Sequence, residues 1–252
     1  MKAFVKDRLT VRILKDREEM GRCAAREIAA EMRRLLACRA QINMIFAAAP
    51  SQNETLAALT EEEGIDWGRV NAFHMDEYVG LPKGAPQSFA AYLTDHLFSR
   101  VPFRSVHLID PSEDPDREAE RYAALLSAFP VDITVLGIGE NGHIAFNDPG
   151  VADFSDPFLV KKVPLDPVCR TQQVHDGCFP SLGDVPEYAL TLTVPALTRA
   201  EAMFCSVPAS TKAEAVYRTV TGPISEECPA SILRTHPHAV LYCDPDSGEK
   251  LL

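Results

Sequence analysis

The chain has 252 residues, 46% of them hydrophobic, and 36 acidic against 25 basic side chains give a formal net charge of −11. That is enough apolar material for a full core, which excludes intrinsic disorder. Acids and bases are interspersed without basic blocks, which argues against nucleic acid or an anionic membrane as a partner.

The opening MKAFVKDRLTVRIL breaks its apolar run with charges and has no cleavage-like site, so it does not read as a signal peptide. No apolar stretch approaches the roughly 20 residues of a membrane helix. The seven cysteines (23, 38, 169, 178, 205, 228 and 243) include no C-x-x-C pair. They read as reduced thiols of a cytoplasmic protein, with Cys178 the candidate for reactivity if it borders a pocket.

LTVRIL (9–14) predicts a strand, followed by a helix over about 16–37 in which Met20, Ala24, Ile28, Met32 and Leu35 recur at helical spacing. INMIFAAA (42–49) predicts a second strand that runs into the helix ETLAALTEEE (54–63). VNAFH (70–74) is a third, leading through a loop to a helix near 87–99. SVHLID (105–110) precedes a helix at 115–129 that opens with acids, as the helix dipole favours. VDITVLGIG (131–139) is the most buried-looking strand. The Pro/Asp-rich segment 147–168 reads as the longest irregular piece. ALTLTV (189–194), AMFCSV (202–207) and AVLYC (239–243) complete the strands, with a helix near 210–220. Strands alternating with helices imply an α/β fold, a mainly parallel sheet covered on both faces, in one domain spanning 1–252.

Two strand ends attract attention. FAAAPSQNE (46–54) is a strand-to-helix joint, where helix-start N–H groups commonly bind anions, yet it contains no glycine. Ser51 and Glu54 fit the S-x-x-E capping box, a structural use of the joint. Ligand binding through the Ser51 and Gln52 side chains is the functional reading, and the two can coexist. The second strand end, Gly137 to Gly142, fits G-x-G-x-x-G, but Pro149 and Gly150 stop any helix after it, so the dinucleotide context fails. The glycines, Gly139 and Gly142 among them, instead let backbone amides approach a polar ligand. His143, Asn147 and Asp148 follow at the carboxyl end of that strand. HMDEYVG (74–80) places Asp76 and Glu77 at the same edge. A histidine and several carboxylates converging there point to proton-transfer chemistry without a cofactor.

MDEYVGLPKGAPQSFAAYL (75–93) and LGIGENGHIAFNDPG (136–150) resemble the two signature segments of the glucosamine-6-phosphate deaminase/isomerase family. EYALTLTVPALTRAE (187–201) and STKAEAV (210–216) match in kind and order, so the resemblance covers about residues 40–245. It implies a Rossmann-like three-layer αβα sandwich related to the 6-phosphogluconolactonases. The implied reaction opens an amino-sugar phosphate ring, moves a proton from C2 to C1 and releases ammonia as a ketose phosphate forms. That activity is filed as deaminase, isomerase and hydrolase in amino-sugar metabolism. By similarity Asp76 is the base at C2, His143 protonates the ring oxygen, and Asn141 and Asp148 flank the histidine. Ser51, Gln52, Glu77, Gly139, Gly142, Ala145 and Lys212 are the expected substrate-binding positions. No metal and no organic cofactor are implied. The partner is a small-molecule sugar, and the family contains monomers and hexamers, which leaves a homo-oligomer open.

The chain departs from the family pattern where the chemistry lies. Asn141 stands where aspartate is usual, and Asp148 where glutamate is usual. The G-G-[ST]-P phosphate loop is replaced by Ala49, Pro50, Ser51 and Gln52. An arginine expected near 175–179 is missing unless Arg170 reaches in, whereas Lys212 matches the phosphate lysine. These departures imply slower turnover or an altered substrate. The alternatives are a deaminase/isomerase for a related sugar without the 6-phosphate, a lactonase using His143 on water, and a non-catalytic sugar-binding regulator.

Overall fold

A computed structural model describes residues 2–252. Strands β1 (Lys2–Lys6) and β2 (Leu9–Ile13) form an antiparallel hairpin, and β2 leads into α1 (Arg17–Leu36). Asp16 starts that helix by accepting the Glu19 N–H at 2.6 Å. Next come β3 (Ile42–Phe46), α2 (Asn53–Glu61), β4 (Val70–His74) and β5 (Asp76–Val79). Helix α3 (Phe89–Leu93) continues as a π-helical turn over Thr94–Phe98, and is followed by β6 (Ser105–His107), α4 (Pro115–Ala128) and β7 (Ile133–Leu136). The last third holds β8 (Val160–Pro164), α5 (Pro167–His175), β9 (Tyr188–Leu192), α6 (Val194–Thr198), β10 (Ala202–Val207), α7 (Ala213–Thr221) and β11 (Ala239–Cys243).

Eight strands form one sheet in the order β1-β2-β11-β10-β7-β3-β4-β6, parallel throughout except for β1. Alternate residues of the inner strands feed two cores. Met44 and Phe46 of β3, Val135 of β7 and Phe204 of β10 pack with Met20, Ile28 and Met32 of α1 and Leu56 of α2. Ile45, Leu136, Met203 and Cys205 point the other way, to Tyr122 of α4, Leu197 of α6 and Val216 of α7. Burial on both faces explains why these strands read as continuous apolar runs. The result is the Rossmann-like three-layer sandwich. Among the described residues no helix is long and apolar enough to cross a membrane.

The chain runs from β3 outward through β4 to β6, then returns to place β7 on the other side of β3. The carboxyl ends of β3 and β7 therefore flank a topological switch point, where doubly wound sheets leave a crevice for ligands.

Three expectations need correction. Segment 147–168 is not wholly irregular, since it contains β8 and the start of α5. ALTLTV is not part of the parallel sheet: β9 lies between β5 and β8 in a separate three-stranded antiparallel sheet. The DEYV segment, expected as loop, is β5 of that sheet. Short strands of this kind carry no periodicity that distinguishes them from loop, and their pairing is decided by tertiary contact.

Candidate active site

Segments following β3, β4, β7 and β10 converge on an open cleft. Asp76, His143, Ser51, Gln52, Gly139, Ala145 and Lys212 all line it, together with Arg17 from α1, Gln172 and Gln173 from α5, and Asp176 just after that helix.

Asp76 is 6% exposed, and its carboxylate has no hydrogen bond or ion pair among the described residues. Burial, reinforced by the neighbouring Glu77 charge, raises its pKa well above the usual carboxylate range. An unsolvated, unpaired carboxylate at a cleft surface is a strong base held ready for a proton.

Glu77 has another task. Its Oε1 accepts the N–H groups of Tyr78 (2.9 Å) and Phe89 (3.1 Å), and Oε2 accepts that of Ala90 (2.9 Å). It thus ties β5 to the first turn of α3, satisfying amides that a helix start leaves open. Successive strand residues point to opposite faces, so if Asp76 meets the cleft, Glu77 turns away from it. The expectation that Glu77 binds substrate is corrected accordingly: it does not line the cleft.

His143 is fixed from behind. Its Nδ1 lies 2.8 Å from Asn141 Oδ1 and 2.9 Å from Asp148 Oδ1, and Asn141 Nδ2 donates to the same Asp148 oxygen at 2.9 Å. Asn141 Oδ1 also accepts the His143 backbone N–H at 3.0 Å. With Nδ1 occupied as donor, Nε2 is the nitrogen available to the cleft. Asp148 is fully buried. Burial pushes its pKa up, but the histidine and the Asn141 amide outweigh this and hold it below the usual value. The carboxylate therefore stays charged behind the imidazole. Asn141 and Asp148 do not line the cleft and act on it through His143.

Gly139 is needed for space. A Cβ there would lie 2.0–2.3 Å from three atoms of the His143 ring. Its N–H donates to His143 O at 2.9 Å, so it is the missing side chain, not the amide, that serves the site. Gly142 departs further from expectation. It does not line the cleft, its N–H is taken by Gly139 O, and a Cβ would meet Cys228 Sγ at 2.8 Å. Its φ of +93° closes the turn that returns His143 to the sheet edge. Ala145 (φ +50°) and Ala209 (φ +82°) both border the cleft in backbone conformations that favour glycine. Asn147 is structural: its Nδ2 donates to Ile144 O (2.9 Å) and to Leu192 O of β9 (2.8 Å).

The β3–α2 joint does not form the capping box. Neither the 3-10 turn Pro50–Gln52 nor α2 has a side-chain cap. Glu54 instead accepts Arg17 Nε at 2.7 Å, because α1 packs against α2 and brings the guanidinium alongside. Gln52 is fully buried, with Nε2 bonded to Ser206 O of β10 and to Ser51 Oγ, both at 3.1 Å. Lys212 is 4% exposed with no hydrogen bond or ion pair from its Nζ among the described residues, and burial depresses its pKa despite the nearby Asp176 and Glu140. A buried ammonium without a partner is costly unless an anion joins it.

Arg170 does not reach the cleft. Its Nη2 donates to Leu182 O (3.0 Å) and Val185 O (2.8 Å), bracing the loop after α5. Burial and Asp176 push the Cys178 thiol up to about 11, which keeps it protonated and unreactive near neutral pH. His143, Asp148 and Cys169 offer ligand atoms within 4.8 Å of one another. Burial, reinforced by the Asp148 charge, raises the Cys169 thiol well above its usual pKa.

A doubly wound sheet with a buried acid and a backed histidine at its switch point is an α/β fold equipped for proton transfer. The family described as glucosamine-6-phosphate isomerases/6-phosphogluconolactonase matches residues 15–242, and the chain belongs to it. A glucosamine-6-phosphate deaminase from Listeria innocua is 34% identical over 212 residues, covering 84% of this chain and 88% of that one. Glucosamine-6-phosphate deaminase 1 of Giardia intestinalis is 34% identical over 204 residues, 78% and 74% of the two chains. Among solved structures, a monomeric glucosamine-6-phosphate deaminase superposes with a TM-score of 0.85 at 27% identity, over 95% of this chain and 98% of that one. The 6-phosphogluconolactonase of Thermotoga maritima gives 0.75 at 23% identity over 94% and 99%, a likeness of fold alone. The hydrolase class expected from the sequence is thereby corrected: these relatives at 34% identity are named deaminases, and the hydrolytic lactonase is similar only in fold.

Proposed function

We propose that the protein is an isomerising deaminase of hexosamine 6-phosphates. The observation that carries this reading is the pair formed by unpaired Asp76 and Asp148-backed His143 on one cleft at the switch point. His143 Nε2 gives a proton to the ring oxygen as its bond to C1 breaks, and the C1 hydroxyl loses its proton to solvent and becomes the carbonyl. Asp76 then takes the C2 proton, and the electrons of that C–H bond form the C1–C2 double bond of an enolamine as O1 takes a proton back from solvent. The same carboxyl returns the proton to C1, leaving an imine at C2 that takes up water and loses ammonia. One carboxylate can serve both carbons because they are adjacent. The buried Lys212 ammonium is the natural counter-charge for the substrate phosphate.

The test is turnover of glucosamine 6-phosphate by purified protein, followed as ammonia and ketose phosphate. Exchange of the C2 hydrogen in heavy water without release would mark a blocked later step, and neither exchange nor turnover on a panel of hexosamine phosphates would defeat the reading.

Asp176 in the cleft favours a second reading, a deaminase for a hexosamine whose terminal group is a hydroxyl donor instead of a phosphate. Higher kcat/KM on the unphosphorylated sugar than on its 6-phosphate would select it.

A further inference from the structure

Arg17 is the first residue of α1, some thirty positions before the β3–α2 joint, yet its side chain lines the cleft beside Ala49, Pro50 and Ser51. We propose that Arg17, acting with Lys212 and the Ser51 hydroxyl, forms an anion subsite built from side chains, which binds the phosphate ester of the substrate in place of the glycine amides that the joint lacks. The proposal rests on the amino-sugar phosphate reading above.

Each donor is held in a way that leaves it free for a ligand. Arg17 uses Nε on Glu54 and Nη2 on Pro50 O, which fixes the guanidinium plane and leaves Nη1 without a protein acceptor among the described residues. Ser51 Oγ accepts from Gln52 Nε2, and Gln52 is itself anchored on Ser206 O, so the serine hydrogen is the part left to donate. Lys212 is the buried, unpartnered cation of the same cleft. Pro50 has no N–H, so the joint cannot make an amide nest at that position. Three acids oppose the subsite, with Glu140 near Lys212 the third beside Glu54 and Asp176. Glu54 is neutralised by Arg17, and Asp176 accepts Gln172 Nε2 at 3.2 Å. Against that background a dianionic phosphate gains charge-assisted bonds that a neutral hydroxyl does not.

Arg17→Gln would strand the Glu54 carboxylate, whose Oε2 is already buried without a partner, so the fold-safe variant is Arg17→Gln with Glu54→Gln. Steady-state kinetics on glucosamine 6-phosphate should show KM raised about 10- to 100-fold in the double variant, with kcat changed far less. Competitive inhibition by inorganic phosphate should weaken by a similar factor, and Arg17→Lys should recover part of both. KM and phosphate inhibition within twofold of wild type would overturn the proposal while leaving the deaminase reading intact. Should wild type show neither turnover nor C2 hydrogen exchange on hexosamine phosphates, that reading fails by itself. Calorimetry with inorganic phosphate then decides the subsite: binding that is lost in the double variant supports it, and binding absent from wild type or equal in both overturns it.

Discussion

Asp148 Oδ1 lies 2.9 Å from both His143 Nδ1 and Asn141 Nδ2, so one buried carboxylate oxygen orients the histidine and its neutral neighbour together. The charge that steadies an imidazolium at His143 therefore comes from Asp148 alone. Asp148→Asn should lower kcat by about 10²- to 10⁴-fold, the upper figure being the cost of the same change behind a serine-protease histidine. Asn141→Asp should not raise activity at neutral pH, because it replaces a donor to Asp148 with a second acid. The new carboxyl would have a raised folded-state pKa, so the stability it contributes at low pH is lost as pH rises. Urea melts at pH 5 and 8 would show the variant losing more than wild type at the higher pH.

Asp76→Asn should abolish turnover and C2 hydrogen exchange while preserving the fold. It should also raise thermal stability at pH 8. The folded-state pKa of Asp76 is raised, so its stabilising contribution is full only below the unfolded value near 3.8 and is lost as pH rises through the folded value. The asparagine escapes that loss, and the gap in Tm should close toward pH 4. In wild type, kcat/KM should rise with pH along a limb lying above the ordinary carboxylate range, since the base must be ionised.

Much of the scaffold was legible from periodicity. The parallel strands announce themselves as apolar runs, and α1 by its 3.6-residue spacing. The acids and histidine at the strand ends were legible because a strand end in an α/β sheet is a known address for ligands. What was missed depends on sheet order and packing. Arg17 joins the site because α1 packs against α2, a neighbourhood that no local pattern encodes. Its only signal was its place just after a strand ending at the same edge. Helix α5, which supplies Gln172 and Gln173 and leads into Asp176, was readable in principle from Asp166 and Pro167. Asp166 accepts the Val168 N–H at 2.8 Å, with Pro167 in the first helical position. The capping box failed because Glu54 found a stronger, charged partner in Arg17.

Gly139→Ala should cost activity out of proportion to stability. The added methyl displaces the His143 ring, and a displacement of about 1 Å can cost roughly 10²-fold in rate. The loss of stability should stay within about 1–3 kcal/mol, the usual range for an overpacked position. Parallel measurement of kcat and of the urea midpoint separates the two effects.

Glu77→Ala should destabilise the fold by about 1–3 kcal/mol, through three N–H groups left without their acceptor. Burial, opposed by those same bonds, pushes the Glu77 pKa up to about 7. Its protonation-linked stability is therefore full below about 4.5 and disappears as pH rises through 7. The difference between wild type and variant should be wider at pH 5 than at pH 8, read from chemical denaturation at both.

Only Met75 separates β4 from β5, so the chain passes from the large sheet to the small one with a single residue of slack. Asp76 and Glu77 are chemically near-identical neighbours, and only even or odd position along the strand decides which faces the cleft and which the interior. Loss or gain of one residue at this crossing would exchange them, offering a carboxyl with a longer reach to the cleft and a shorter one to the amides of α3. The two adjacent acids behave as a parity code. A change that preserves composition and both side chains, but alters the count before them by one, would silence the site as completely as deleting the base.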